Sequence, residues 1–128
     1  MLSRFVTLLL VLFPFLSAAL SPVIKTVTSA DGTHIYADAI GNPAKQSIVF
    51  VHGFALSGVV FDRLFTNQDL LNNFYLVRYD MRGHGRSDKP ASADAHVSAR
   101  YAEDFSAVSK AFSLDKPLFV GWSVFLFA

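Results

Sequence analysis

Apolar residues fill the amino terminus and then recur in short runs separated by polar, glycine-bearing breaks. Residues 23–28 are β-branched and partly alternating, the pattern of a strand. Asp31-Gly32 is a strong hairpin-turn signal, and residues 33–40 read as the return strand, ended by Gly41-Asn42-Pro43. Residues 47–51 form a nearly unbroken apolar run, as expected of a strand buried on both faces of a sheet. Residues 61–71 predict one helix or two short ones, with Phe61, Leu64 and Phe65 sharing a face. Residues 74–79 predict another strand, and residues 82–90 a loop dense in Gly, Ser and Asp. Over residues 98–112, Ala102, Phe105, Val108 or Ser109, and Phe112 recur at helical steps. Ser98 is the expected amino-terminal cap there, with Glu103 and Asp104 in the early turns favouring the helix dipole. Residues 116–120 predict a last strand, followed directly by Gly121-Trp122-Ser123. A hairpin followed by strand, helix, strand, helix, strand indicates an α/β sheet with parallel central strands.

The first apolar run has a different character. Residues 1–20 hold 15 apolar residues and one charge, Arg4. The run at residues 5–16 is apolar on every side, has no helical stripe, and is followed by Ser17-Ala18-Ala19. This is the layout of a cleaved signal peptide over residues 1–19, the alternative being an uncleaved membrane anchor. The expected location is therefore secreted, or anchored in the secretory pathway, with residues 20–128 as the remaining domain. That remainder contains no Asn-x-Ser/Thr acceptor, so N-glycosylation is not expected.

Composition narrows the chemistry. The chain carries 11 Lys and Arg against 10 Asp and Glu, for a net charge of +1. Nucleic-acid binding would need a basic surplus, so no such partner is expected. The absence of cysteine rules out a disulfide scaffold, a Cys-ligated zinc site and a thiol nucleophile. The 4 histidines are dispersed and lack a paired ligand spacing, so no metal site is expected.

Three short segments carry candidate chemistry, each directly after a strand. His52-Gly53-Phe54 places a glycine where the backbone must turn, so that the next amide can face a cavity. Asp80-Met81-Arg82-Gly83-His84-Gly85-Arg86-Ser87-Asp88 combines two glycines with alternating charges, suiting ion pairs such as Arg82 or Arg86 with Asp80 or Asp88. It lacks the lysine and the spacing of phosphate-binding loops, so a rigid structural loop is the expected reading. Gly121-Trp122-Ser123 fits a serine on a sharp strand-to-helix turn, where its hydroxyl would be exposed.

In this order the three segments resemble the amino-terminal half of the α/β-hydrolase superfamily, most closely its esterase, non-metal haloperoxidase and epoxide-hydrolase branch. The resemblance runs from about Val23 to Ser123 and implies an incomplete α/β-hydrolase fold. It implies that Ser123 is the nucleophile, and that the backbone N–H groups of Phe54 and Val124 form the oxyanion hole. It implies that Asp80, Arg82, Gly83, Gly85 and Ser87 belong to a structural loop, and that His52 lines the site without being the base. A serine in that position implies attack on an ester-like carbonyl through an acyl-enzyme, with no cofactor. The expected partner is a small ester-like substrate. A membrane enters only if the amino-terminal segment stays uncleaved.

The sequence also departs from that family. Phe125 stands where the motif calls for glycine, and residues 124–128 contain neither an acid nor a histidine. All 4 histidines precede Ser123, whereas the family order is Ser, acid, His. The expectation is a truncated chain, diverging after Ser123 and lacking activity, with an unpaired apolar edge at its last strand. The alternative is a non-catalytic remnant that binds a full-length relative.

Overall fold

The computed structural model describes residues 20–122. Five strands form one sheet: β1 (Val23–Thr28), β2 (His34–Ile40), β3 (Ser47–Val51), β4 (Tyr75–Tyr79) and β5 (Leu118–Gly121). Their order is β1-β2-β4-β3-β5. The β1–β2 and β2–β4 pairs are antiparallel, while β3 runs parallel to both β4 and β5. This is the hairpin with parallel central strands that the alternation of elements indicates, and it fits part of an α/β-hydrolase fold.

Strand β3 shows why its apolar run is unbroken. All of its residues are buried, and successive side chains point to opposite faces. Val49 and Val51 join a core with Val77, Tyr79, Val108 and Phe112. Ile48 and Phe50 join a second core with Phe61, Phe65, Leu71 and Leu76. The first core lies under helix α3 (Ser98–Ala111). The second lies under a 3-10 turn (Gly58–Phe61) and the short helices α1 (Asp62–Phe65) and α2 (Gln68–Asn73). Phe61 and Phe65 share the buried face expected of them, with Leu64 packed beside. Asn67 caps α2, its side chain accepting the Leu70 N–H at 3.0 Å.

Helix α3 corrects two expectations. Its cap position is Val97, and Ser98 is the first helical residue, with no side-chain cap. Its buried stripe is Asp104, Val108 and Phe112, whereas Ala102 is exposed. Asp104 faces the core because Arg82 meets it there, as described below. Glu103 pairs with Arg100 at 2.8 Å on the surface, and neither acid lies in the first turn.

A run of exposed apolar residues lies at β5. The central strands are covered on both faces, whereas Leu118, Phe119 and Val120 are all exposed. Among the described residues β5 pairs only with β3, which leaves its outer edge open. Among those residues no helix is long and apolar enough to cross a membrane.

Candidate active site

Because β4, β3 and β5 are adjacent and parallel, the segments that follow them emerge side by side. A crevice beyond the carboxyl ends of parallel strands is the usual ligand position in such sheets. The Trp122 N–H donates to the Val51 carbonyl at 2.9 Å, so the end of β5 is tied to the end of β3. Ser123 and Val124 follow at once and lie outside the described residues.

The loop after β3 is built around His52, which is fully buried. Its Nε2 accepts the Met81 N–H at 2.9 Å. That leaves Nδ1 to carry the proton and donate to the Gly53 carbonyl at 2.8 Å. Burial pushes the imidazole below its ordinary pKa, against the pull of the Gly53 bond. His52 is thus a neutral pin between two loops. The next residues turn sharply, but the left-handed residue is Ala55, at φ 61, and not Gly53. The Phe54 side chain is 76% exposed, and its N–H meets no acceptor among the described residues.

The loop after β4 is held by Asp80, whose carboxylate is buried. One oxygen accepts the Gly58 N–H at 2.7 Å, and the other accepts the Arg86 N–H at 2.8 Å. Burial works to raise this carboxyl, but the two amides and the Arg86 guanidinium outweigh it and hold the pKa below the ordinary carboxylate value. Gly83 (φ 81) and Gly85 (φ 49) are both left-handed. At Gly85 a Cβ would lie 2.2 Å from Asp80 Oδ2, so no side chain fits there. Ser87 Oγ donates to the Asp80 carbonyl at 2.5 Å and accepts the Tyr36 N–H at 2.8 Å, tying the loop to β2.

Arg82 corrects the charge pairing expected from the sequence. It has no exposed surface and does not pair with Asp80 or Asp88. Its guanidinium forks onto Asp104, with Nη2 to Oδ1 at 2.6 Å and Nε to Oδ2 at 2.7 Å. Nη1 also donates to Asp31 at 2.8 Å and to the Ala95 carbonyl at 2.8 Å. Arg82 holds the Asp31 carboxyl well below the usual carboxylate range. Arg86 does pair with Asp80, at 3.3 Å, and lies over the Tyr36 ring. Asp88 pairs with His34 at 2.9 Å.

A cavity of about 560 Å³ opens between the two loops. Phe54, His84, Lys89, His96 and Tyr101 line it, and among the described residues no carboxylate does. Sequence reasoning took His84 only as part of the loop and gave His96 and Tyr101 no place. A signal existed: His-Gly after β3 and Gly-His-Gly after β4 lie on loops that must be neighbours if those strands are parallel and adjacent. Among the described residues no group of acids and histidines is placed to hold a metal ion.

Residues 46–124 match the family described as alpha/beta hydrolase fold. The chain is 40% identical over 96 residues to the "Probable oxidoreductase EphD" of Mycobacterium tuberculosis, covering 75% of this chain and 16% of that protein. It is 36% identical over 101 residues to the non-heme chloroperoxidase of Streptomyces lividans, covering 77% of this chain and 34% of that protein. Among solved structures it is similar to one titled "putative aryl esterase" from Burkholderia cenocepacia, with a TM-score of 0.74 and 34% identity. That match covers 79% of this chain and 37% of the other. The chain thus spans well under half the length of each of these relatives. The family match, the sheet order and the two interlocked loops together place the chain in the alpha/beta hydrolase fold family.

Proposed function

We propose that this chain carries the nucleophile-bearing portion of a serine hydrolase that acts on ester-like substrates through an acyl-enzyme. The observation that carries the reading is the Phe54 N–H, which meets no acceptor among the described residues and sits on the loop beside the end of β5. An amide so placed suits an oxyanion donor, with Val124 as the second donor and Ser123 as the nucleophile. Each such donor is worth ~3–4 kcal/mol to a tetrahedral transition state.

A serine hydroxyl needs an adjacent base. None of the chain's 4 histidines is free to act as one. His52 and His84 have both ring nitrogens engaged. His96 bonds the Pro90 carbonyl at 2.8 Å and Tyr101 Oη at 3.0 Å. His34 pairs with Asp88 at the start of β2, with β4 and β3 between it and β5. Three strand spacings of ~4.8 Å put that strand ~14 Å from β5, beyond the reach of a direct proton transfer. We therefore propose that the 128-residue chain does not turn over esters by itself, and that a longer product of the same gene supplies the acid and base.

Sequencing of transcripts downstream of the Gly121 codon tests this reading. A form with glycine in place of Phe125 and a later Asp and His is expected, and its product should hydrolyse p-nitrophenyl esters. Hydrolysis by that product that survives Ser123→Ala would overturn the assignment. The open edge of β5 favours a second reading, in which the chain adds its edge strand to a full-length relative. Co-purification of the two would support it, and loss of the complex on Val120→Pro would place the contact at that edge.

A further inference from the structure

Ala55 adopts a left-handed conformation that a residue with a Cβ seldom takes. Two bonds hold it there: the Leu56 N–H closes a turn on the Gly53 carbonyl at 3.2 Å, and His84 accepts the Ala55 N–H itself. The Ala55 N–H donates to His84 Nε2 at 3.1 Å, and His84 Nδ1 bonds the Arg82 carbonyl at 3.0 Å. An acceptor role for Nε2 leaves the ring proton on Nδ1, so the bond requires a neutral ring. The same ring packs edge-on against Phe54, with centroids 5.6 Å apart, and against His52 at 5.3 Å. His84 therefore touches both the side chain of Phe54 and the amide next to it.

We propose that His84 is a positioning residue of the oxyanion loop: its neutral imidazole holds the Ala55 amide, and through it aims the Phe54 N–H, while protonation at Nε2 releases both. The role of Phe54 rests on the proposed hydrolase reading, whereas the His84–Ala55 contact does not. When a solvent proton binds Nε2, two donors face each other and the bond to Ala55 breaks. Several groups face His84. His52 packs against it from the end of β3. Lys89 from its own loop, His96 from the 3-10 turn Ala93–His96, and Tyr101 from α3 line the same cavity. Arg86 is turned away over Tyr36, and Asp80 lies buried with its oxygens taken by Gly58 and Arg86. Among the described residues no carboxylate lines the cavity to stabilise a charged ring.

Amide NMR on the full chain tests the proposal. The Ala55 amide shift should follow the titration of the His84 ring. Its protection against hydrogen exchange should fall about fivefold to tenfold through that titration, the loss expected for one net hydrogen bond. In His84→Gln the side-chain oxygen can accept the same N–H and does not titrate, so protection should persist and the pH step should vanish. In His84→Phe protection should be low at every pH. An Ala55 shift that ignores the His84 titration, or a wild-type pH step retained in His84→Gln, would overturn the proposal. The amide signal needs no catalysis, so the hydrolase reading could fail its own test and leave this result standing. If His84→Phe does not fold, the Gln variant still decides the outcome.

Discussion

His52 and His84 fasten the loops after β3 and β4 to each other in opposite directions. His52, after β3, accepts an amide from the β4 loop, Met81 N–H, at 2.9 Å. His84, in the β4 loop, accepts an amide from the β3 loop, Ala55 N–H, at 3.1 Å. Each ring directs its other nitrogen to a carbonyl of its own loop. The two clasps differ in burial, since His52 is fully buried and His84 only partly so. His52→Leu would leave the Met81 N–H buried without an acceptor, at a cost of about 1–3 kcal/mol. Urea titration should show that loss, and should show a much smaller one for His84→Phe, where water can reach the freed amide. Equal losses would contradict the difference in burial.

Among the described residues Arg82 is the one cation that pairs with the buried Asp104. Removing it leaves Asp104 buried and uncompensated, which typically costs about 3–5 kcal/mol. Arg82→Ala should therefore unfold most of the chain at room temperature. Arg82→Lys should also be strongly destabilised, because an ammonium cannot reproduce the fork that reaches Asp104, Asp31 and the Ala95 carbonyl together. A thermal midpoint for the Lys variant within a few degrees of wild type would show that charge alone suffices.

Gly85 and Gly32 both have positive φ, but only one is crowded. A Cβ at Gly85 meets Asp80 at 2.2 Å, while one at Gly32 meets nothing within 4 Å. Gly32→Ala should cost only the backbone strain, about 1–3 kcal/mol. Gly85→Ala adds the clash and the displacement of Asp80 from the Gly58 and Arg86 amides, so it should cost clearly more. Chemical denaturation of the two variants side by side gives the ranking, and the reverse order would refute it.

Stability should fall with acid in two stages. Burial holds His52 below its ordinary 6.5, so below that value the unfolded chain takes up a proton that the folded chain refuses. Stability present above about pH 6.5 is therefore lost as pH falls toward and through the lower folded value. Asp31, through Arg82, and Asp88, through the His34 N–H, are held below 3.8, as is Asp80 through its amide bonds. Their contribution is present above 3.8 and is lost as pH falls below it. Thermal midpoints measured across this range should drop in both windows, and the first drop should be smaller in His52→Leu. A flat profile through the first window would rule out the neutral pin.

The strands were legible because their apolar runs follow the sheet. The bounds of β3 can be read directly from residues 47–51, since both faces of that strand are covered. The periodic pattern of α3 places Phe105, Val108 and Phe112 on the core but misses Asp104, which looks solvent-facing in a one-dimensional pattern. Only the meeting with Arg82, 22 positions earlier, makes it a core residue. Asp31 was likewise read as a turn residue alone, yet it also binds Arg82. The loop glycines are legible as turns, but the left-handed Ala55 is not, because its turn closes on Gly53 without a glycine of its own and its amide meets a ring on another strand's loop.

On the proposed reading the chain carries an oxyanion loop and Ser123, while each of its 4 histidines is bonded elsewhere. The most direct measurement is the initial rate of p-nitrophenyl acetate hydrolysis by the 128-residue chain and by its Ser123→Ala variant, at equal concentration and neutral pH. The expected result is two indistinguishable rates, with no burst of p-nitrophenol. A burst or a steady rate in the wild-type chain that disappears in Ser123→Ala would contradict the account, because it would require a base that the geometry does not provide.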